Sequence, residues 1–486
     1  MRASEYENEL KQRDDTIQQQ ADTIERLTER IGQLEAEAEE LKKLLTGKAE
    51  AKTAKKPTFT QNYSLDKNKR KKKRRKKSTG RRKHDAKRDL VEHQNDVFPP
   101  NVDPSQCIFR REQFAWRLID GRAVYIAYNI HDLPDSKELP LPNGLRNSRS
   151  EYGIEIILTL AYLHYWIGVS IDNAREIMRF FTGLELPKSQ ADSLLSQLAA
   201  DWDQQYDTIA ELIALSMIVY IDETGWKVGK RSCYTWAFST PMHVLFRCGV
   251  GRGKAEAEKV LGQFFPGVGV TDDYAAYKSL FSKHQLCWAH LIRKAIKLAL
   301  MHPEHKEYAV FLDELCDIYH RAVGYQKDGR LHTGRARKAR ELEESIRSLC
   351  VRQGETIEKN VTPECEATLI RLQNELINNL DGLFVFVEHP EVESTNNRSE
   401  RNVRREAEIR KGGRTSKTPG GAKRRGVIMT VLASLQTRFA KFTLDVLLSE
   451  VQGWLAEGRS IFESELAELQ KANPPPPGEP VICPSG

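Results

Sequence analysis

The sequence feature that most constrains the fold is a series of strand-like apolar runs that begins near residue 216. The first run, residues 216–221, is rich in β-branched residues and ends in Asp222. Two more strand-like runs, a helical stretch and a fourth strand follow at residues 233–239, 243–248, 254–265 and 268–271. The fourth strand ends in Asp272. Strands followed by helices in this way predict an α/β core built on a mixed sheet.

We expect the two strand-terminal acids on one face of this sheet. Side chains alternate along a strand, so Asp222 and Asp272 point the same way as the apolar residues two positions earlier. The adjacent acids, Glu223 and Asp273, point the other way. Three strands, a helix and a further strand follow the order of the ribonuclease H fold. The predicted fold class is therefore a ribonuclease H-like mixed sheet with flanking helices.

Paired carboxylates of this kind suit metal-dependent phosphodiester chemistry. Two Mg²⁺ ions about 3.5–4 Å apart activate the attacking oxygen and stabilise the leaving one. Mg²⁺ prefers carboxylate oxygens and keeps several waters, so a few acids suffice to hold it. Asp222 and Asp272 alone are a weak signal, because acids often end strands as caps.

Four short motifs, taken in order, strengthen the signal. They are DETGW from Asp222, VTDDYAAY from Val270, CWAHL from Cys287 and TNNRSERNVR from Thr395. Together they resemble the motifs of the DDE transposases of the insertion-sequence sixty-six type. The resemblance covers roughly residues 150–450 and is far more specific than any single motif.

The resemblance implies that Asp222, Asp272 and Glu400 form a metal-binding catalytic triad. It implies two Mg²⁺ ions, which Mn²⁺ can replace. The expected enzyme is a DDE transposase that hydrolyses the ends of an insertion sequence and joins the freed 3′-hydroxyl to target DNA by transesterification. Its partners would be double-stranded DNA, as terminal inverted repeats and target, and element-encoded accessory proteins. No covalent protein–DNA intermediate and no ATP are expected.

Glu400 has a simpler interpretation beside the catalytic one. Asn396 or Asn397 is a good N-cap, which puts Glu400 in the first turn of a helix. There it could pair with Arg404 or favour the helix N-terminus. The family signature favours catalysis instead. We expect the same region to bind DNA through Arg401, Arg404, Arg405, Arg410 and Lys411, with residues 423–425 adding cations and the glycine pairs at 412–413 and 420–421 marking a flexible loop.

Cys287 and His290 allow two interpretations, a ligand pair or a structural pair. The spacing resembles a Cys-x-x-His motif found after the second aspartate in several DDE groups. We favour a structural role, in which Cys287 caps a strand and His290 caps the following helix. Two metal ligands without partners make a poor zinc site.

The N-terminal hundred residues predict self-association and nonspecific DNA binding. Apolar residues recur with a heptad spacing across residues 1–46, with β-branched residues at a and leucine at d, which favours a parallel dimeric coiled coil over a single amphipathic helix. Residues 47–100 are expected to form a disordered basic arm with salt-dependent phosphate affinity, although a merely solvated linker is the alternative. Its unbroken cationic run consists of Lys69, Arg70, Lys71, Lys72, Lys73, Arg74, Arg75, Lys76 and Lys77.

The remaining segments complete the predicted organisation. Residues 101–148 form a small β-hairpin region that carries only Cys107, where family members commonly have a cysteine-rich zinc segment. Residues 149–210 are helical, either a helix-turn-helix or an ordinary bundle. The catalytic domain spans 211–301 and 392–450, with a helical insertion at 302–391. Residues 451–486 hold a last helix and a disordered tail.

Composition narrows the protein class. The 75 basic and 68 acidic residues give a net charge of +7, distributed unevenly. None of the eight cysteines forms a CxxC pair, and no signal peptide or membrane span is evident, so we expect a bacterial cytoplasmic, nucleoid-associated protein. Two alternatives to a transposase remain. One is a ribonuclease H-like nuclease or resolvase, and the other is a non-catalytic dimeric DNA-binding protein.

Overall fold

The computed structural model describes residues 87–472 of the chain, apart from 137–138, 275–276, 278, 332 and 358–362. The strands are β1 His93–Val97, β2 Ile108–Ile119, β3 Arg122–Asp132, β4 Ile218–Val228, β5 Arg231–Ser239, β6 Val244–Val250, β7 Phe265–Thr271 and β8 Phe281–Leu286. The helices up to the end of the central sheet are α1 Ile154–Ala161, α2 Ile171–Thr182, α3 Lys188–Asp201, α4 Asp203–Ala214 and α5 Ala255–Leu261. The later helices are α6 Trp288–Met301, α7 Lys306–Lys327, α8 Arg335–Ile357, α9 Pro363–Asn378, α10 Val385–Glu388, α11 Asn397–Lys411, α12 Pro419–Arg438, α13 Leu444–Glu457 and α14 Ile461–Ala472.

The predicted hairpin is present as the antiparallel pair β2 and β3. Its turn is Asp120–Gly121, and both residues have positive φ, 49° and 76°, as a tight hairpin turn requires. Strand β1 adds to the free side of β3 in parallel and completes a three-stranded sheet. The prediction of a disordered arm up to residue 100 is therefore wrong for β1. Strand β1 is mostly exposed, so it lacks the apolar alternation that marks a strand in a sequence.

The central sheet has five strands in the order β6-β5-β4-β7-β8. Strand β5 runs antiparallel to β4 and β6, whereas β4, β7 and β8 are parallel. The mixed α/β core predicted from the sequence is confirmed. The ladder between β4 and β7 ends at Tyr220 and Val270, and β4 continues past it paired with β5. The residues of β4 just after this ladder therefore lie beside the chain segment that follows β7 at one edge of the parallel strands.

Helices cover both faces of the central sheet. On one face, Val219 and Ile221 of β4 join the core formed with α1 to α4, α12 and α13. On the other, Ile218 and Tyr220 join Val268 of β7 and the apolar residues of α6 to α9. This alternation is the one predicted for β4 and β7. The segment predicted as an insertion, residues 302–391, is helical and packs against the second face.

The helical region before the sheet starts with α1, which the sequence predicted to run to Trp166. The helix does extend there, but residues Tyr162–Trp166 form a π-helical turn. Helix α2 begins after Ser170, whose Oγ accepts the N–H of Asn173, and ends at Gly183 with a φ of 76°.

Helix α3 would be the DNA-recognition helix if residues 149–210 formed a helix-turn-helix. In the structure it packs against the neighbouring helices as part of a helical bundle. Its Leu194, Leu195 and Leu198 belong to the core that it shares with the sheet. On its outer side, Asp192 and the Ser196 hydroxyl accept hydrogen bonds from Arg424. These contacts favour the bundle interpretation, and DNA reading by α3 stays a prediction.

The C-terminal boundary predicted at residue 450 falls inside α13, which starts at Leu444. Two helices, α13 and α14, therefore stand where one was expected. The side chain of Arg438 contacts His243, just before β6, and Glu465 on α14. These contacts hold α14 against the central domain. None of the helices in the described ranges is both long and apolar enough to cross a membrane.

Candidate active site

Asp222 and Asp272 lie just past the ladder between two adjacent parallel strands. Asp272 follows β7 directly, whereas Asp222 lies within β4, which continues to Val228 paired with β5, so the predicted strand end at Asp222 is wrong. In the ladder between these strands Tyr220 lies opposite Val270, and the same register continued by two residues sets Asp222 beside Asp272. The structure thus brings the two predicted acids together at the carboxyl edge of the sheet.

The carboxyl group of Asp222 is mostly buried in this site. Burial, together with the negative charges of Glu223 and Asp272, raises the pKa of Asp222 to about 8, and Glu400 adds a smaller effect in the same direction. The backbone N–H of Glu223 donates to Oδ1 of Asp222 at 2.9 Å and opposes the shift. The site therefore disfavours a second negative charge until a cation or a proton neutralises it.

The raised pKa predicts a pH-dependent stability in the absence of divalent cations. In the unfolded chain the pKa of Asp222 is near its ordinary value of 3.8, whereas in the fold the raised pKa keeps the carboxyl protonated up to about pH 8. The folded state binds more protons across that window, so its free energy of unfolding falls as pH rises from about 4 to about 8. We expect Asp222→Asn to remove this dependence, on the order of a few kcal/mol. Urea unfolding of both proteins at several pH values measures it, and parallel curves would contradict the assignment.

Glu223 points away from Asp222, as alternation predicts. Its carboxylate accepts the hydroxyl proton of Tyr277 at 2.6 Å and pairs with Arg252 at 3.0 Å. The guanidinium of Arg252 also lies 4.2 Å from the ring centre of Tyr274. The carboxylate of Glu223 is therefore engaged by Tyr277 and Arg252 on the face of the sheet opposite Asp222, where it holds the segment that follows β7.

The helix that carries Glu400 is anchored to the central sheet by its own first turn. The side-chain amide of Asn396 donates to the carbonyl of Ile221 at 2.6 Å, one residue before Asp222. The hydroxyl of Ser399 donates to the carbonyl of Ala237 on β5 at 2.9 Å. Asn396 occupies the predicted N-cap position of α11, but its side chain bonds the strand and makes no cap bond to the helix. These bonds fix the start of α11 beside the part of β4 that carries Asp222.

Glu400 itself contacts residues of the CWAHL motif. Its Oε1 lies 3.6 Å from Sγ of Cys287 and 3.4 Å from Nδ1 of His290. Its Oε2 pairs with Arg293 at 3.0 Å rather than with Arg404. Among the described residues, Glu400, Cys287 and His290 form a group of potential ligands within 4.8 Å of one another, and the three predicted triad carboxylates do not.

Cys287 directly follows β8, beside the segment that carries Asp272. Its backbone N–H donates to the carbonyl of Thr271 at 2.9 Å, and it precedes the first residue of α6. Cys287 thus stands at the end of the strand, as predicted, but it also holds the N-cap position of α6 that was expected for His290, without a side-chain cap bond, and His290 lies in the first turn of the helix. The contact with Glu400, 113 residues away, was not predicted from the sequence. Burial raises the pKa of the Cys287 thiol to about 11.

The predicted DNA-binding cations of α11 divide into two groups. Arg401, Arg404 and Lys411 are exposed. Arg405 is half-buried, with its guanidinium 3.8 Å from the ring centre of Trp166. Arg410 lies against the backbone of Gly225 in β4, where a Cβ atom would come within 2.8 Å of Nη1. The first group is free to meet a phosphate, whereas the second holds α11 in place.

The cations at residues 423–425 do not crowd the active site as predicted. Lys423 pairs with Asp203, Arg424 pairs with Asp192, and Arg425 forms a buried pair with Glu406. The second glycine pair is also not part of a loop, because α12 already begins at Pro419. These residues join α12 to the rest of the fold. The cationic run from Lys69 to Lys77 and the heptad segment lie outside the described residues, and their roles stay predictions.

Comparison with known proteins places the chain in a family. No curated protein shows a significant match to it. A family model described as Transposase IS66 family matches residues 149–424, from the start of the helical region into α12. This match covers more than half of the chain and contains all four motifs quoted above, which confirms the resemblance. The chain belongs to the IS66 transposase family.

Proposed function

We propose that this transposase cleaves the ends of an insertion sequence and joins the freed 3′-hydroxyl to target DNA, using Asp222, Asp272 and Glu400. The observation that carries the proposal is the meeting of Asp222 and Asp272 on adjacent parallel strands. The start of α11, which bears Glu400, is bonded through Asn396 to Ile221, the residue before Asp222 in β4.

The topology of the central sheet supports a ribonuclease H-like catalytic domain. Its order, β6-β5-β4-β7-β8, has the second strand, β5, antiparallel to both of its neighbours. The first strand, β4, lies at the centre and carries the first acid. The acids thus project from the middle of the sheet, where a duplex can approach the carboxyl edge.

The donor set at this edge fits a hard divalent cation such as Mg²⁺. Carboxylate oxygens are its preferred protein ligands. The like charges that raise the pKa of Asp222 are the repulsion that a bound cation relieves. When bound, two such ions would activate the attacking oxygen and stabilise the leaving one. Mn²⁺ offers the same coordination.

The chain's own residues have distinct tasks in this proposal. Asp222 must lose its proton to act as a ligand, because the fold holds it protonated up to about pH 8 without a cation. Glu400 must release Arg293 and turn toward the aspartates to complete the triad. Arg401 and Arg404, which follow Glu400 on α11, would offset the phosphate charges beside the cleaved bond.

The direct test is strand cleavage with labelled DNA that carries the ends of the element and its flanks. We expect nicking at those ends in Mg²⁺, followed by joined products, and neither in chelator. Cleavage of branched or hybrid substrates without joining would instead support a nuclease or resolvase. Binding without cleavage, with accessory factors supplied, would support a non-catalytic DNA-binding dimer.

The exposed cations of α11 give a separate prediction for DNA binding. We expect the double variant Arg401→Ala and Arg404→Ala to weaken binding to all sequences alike, because phosphate contacts carry no base information. The slope of log affinity against log salt should become shallower by about 2, since about one counterion is released for each contact. Fluorescence anisotropy across a salt series measures this slope. Lys441→Ala, at an exposed position after α12, is the matched control, and an equal change there would contradict the interface.

A further inference from the structure

Cys287, His290 and Glu400 form a compact cluster of three different ligand types at the carboxyl edge of the sheet. Sγ of Cys287 and Nδ1 of His290 lie 3.6 and 3.4 Å from the same oxygen, Oε1 of Glu400. All three ligand atoms fall within 4.8 Å of one another. The thiol is buried and the carboxylate side chain is 12% exposed, whereas the imidazole is 36% exposed. The ligand atom Nδ1 of His290 is itself buried, so only another part of this imidazole ring reaches solvent.

The two distances to Oε1 of Glu400 match those of a metal site with tetrahedral angles. With bonds of about 2.3 Å to sulfur and about 2.0 Å to nitrogen and oxygen, neighbouring ligand atoms lie roughly 3.3–3.5 Å apart. The two distances to Oε1 are within a few tenths of an ångström of that range. A cysteine and a histidine together select zinc-like ions over Mg²⁺, which prefers oxygen alone.

The surroundings of the cluster are those of a metal-bound thiolate. The backbone N–H of Asn396 donates to Sγ of Cys287 at 3.1 Å, and the N–H groups of Ala289 and His290 face the same sulfur. Such donors stabilise negative charge on sulfur, and Cys287 also sits at the N-terminus of the 14-residue helix α6.

The other two ligands are oriented in the same way. Nδ1 of His290 is buried, lacks a hydrogen bond within the described structure and lies 3.4 Å from Oε1 of Glu400, so it faces the cluster. Arg293 binds Oε2 of Glu400 at 3.0 Å, which leaves Oε1 to face the cluster. A charged partner on the second oxygen is a common way to orient a ligating carboxylate.

We propose that Cys287, His290 and Glu400 bind a thiophilic divalent cation, with Zn²⁺ as the best match, at a site that shares only Glu400 with the one proposed for Mg²⁺. Three protein ligands leave a fourth coordination position for a water molecule. Binding of the cation releases the thiol proton, since the thiolate is the ligand. Glu400 belongs to both sites, so a cation here holds Glu400 away from Asp222 and Asp272. That last consequence rests on the proposed function, whereas the site itself does not.

The test is a titration of the reduced, metal-free full-length protein with Co²⁺, which replaces Zn²⁺ and reports a thiolate ligand through charge-transfer absorption in the near ultraviolet. We expect the band in wild type and its loss on addition of Zn²⁺ but not of Mg²⁺. Cys287→Ser should abolish the band, and His290→Gln should weaken Co²⁺ binding by ~10-fold or more. Cys316→Ser, on α7 outside the cluster, is the matched control and should bind as wild type does.

The possible outcomes separate the metal site from a simple hydrogen bond. If the Cys287 thiol only donates to Glu400, wild type gives no charge-transfer band and the proposal is overturned. A band of equal strength in Cys287→Ser overturns it too. If Cys287→Ser does not fold by circular dichroism, His290→Gln decides, and unchanged affinity in that folded variant counts against the site.

The failure of this proposal is distinguishable from a failure of the proposed catalysis. Co²⁺ binding needs neither DNA nor activity, so it is measured even if no strand is cleaved. Where cleavage is observed in Mg²⁺, added Zn²⁺ should slow wild type more than His290→Gln. Equal inhibition of both proteins would remove the link to Glu400 but leave the binding result intact.

Discussion

Asp222→Asn is expected to lower DNA strand cleavage and joining by about 1,000-fold or more, which corresponds to about 4 kcal/mol of transition-state stabilisation. Asn keeps the side-chain oxygen that accepts the hydrogen bond from the Glu223 N–H at 2.9 Å, so the backbone of β4 around residue 222 should retain its geometry. It loses the negative charge that a divalent cation requires. The same substitution removes a buried carboxyl whose pKa is raised to about 8, and the variant should therefore be no less stable than wild type.

Three measurements on this variant separate catalysis from folding and binding. Rates of nicking and joining should collapse, whereas DNA affinity and the unfolding midpoint should not fall. Asp445→Asn removes one exposed carboxylate on α13 and serves as the matched control for net charge. Full cleavage activity in Asp222→Asn would remove Asp222 from the proposed mechanism. If the variant lost DNA binding together with cleavage, the lower rate would reflect weaker binding and would contradict a purely catalytic role.

Local pattern sufficed to predict the sheet and its two aspartates. The run that ends in Asp222 is apolar and β-branched, and period-two alternation assigns its faces without knowledge of the tertiary structure. The observed cores confirm this, since Ile218 and Tyr220 contact one helical layer whereas Val219 and Ile221 contact the other. Buried parallel strands are recognisable because burial itself dictates their composition.

The environment of Glu400 could not be predicted in that way. Its contacts with Cys287 and Arg293 join segments more than one hundred residues apart, and no local period encodes them. The anchor from Asn396 to Ile221 has the same character. The sequence contains one signal of this environment, because Cys287 and His290 have the spacing of a ligand pair without further ligands nearby in the chain. The third ligand, Glu400, comes from a motif more than one hundred residues away, so local spacing could not reveal it.

The cations at the start of α12 show the converse case, in which a local pattern in the sequence led to a wrong prediction. In a sequence, Lys423, Arg424 and Arg425 read as one charged run, and a charged run is usually solvated. In a helix the three side chains point about 100° apart, so each meets a different environment. Arg424 is half-buried, and Arg425 is almost fully buried. Charge clustering along the chain therefore does not identify a DNA surface until the helix is placed.

Arg425→Met is expected to destabilise the fold by about 3–5 kcal/mol, because it leaves the carboxylate of Glu406 buried without its partner. Glu406 is fully buried, and its two oxygens accept from Nε and Nη2 of Arg425 at 2.7 Å each. The guanidinium also lies 4.9 Å from the ring centre of Trp226. This pair joins α12 to α11, which bears Glu400, so its loss should loosen the candidate site. Urea unfolding gives the change in free energy.

The double variant Glu406→Met and Arg425→Met tests the reason for that loss. If the cost arises from an unpaired buried charge, removing both charges should restore most of the stability, since replacing a buried ion pair by apolar residues of similar volume is often neutral. Lys423→Met, two residues earlier on α12, is the matched control. Its ion pair with Asp203 is exposed, so the loss of this pair should lower the free energy of unfolding by about 1 kcal/mol or less. Equal losses in the single and double variants would mean that the guanidinium stabilises α12 through its contact with Trp226 rather than through Glu406. Cleavage by the double variant would then decide whether the active site needs this charge pair itself, or only a fixed position for α11.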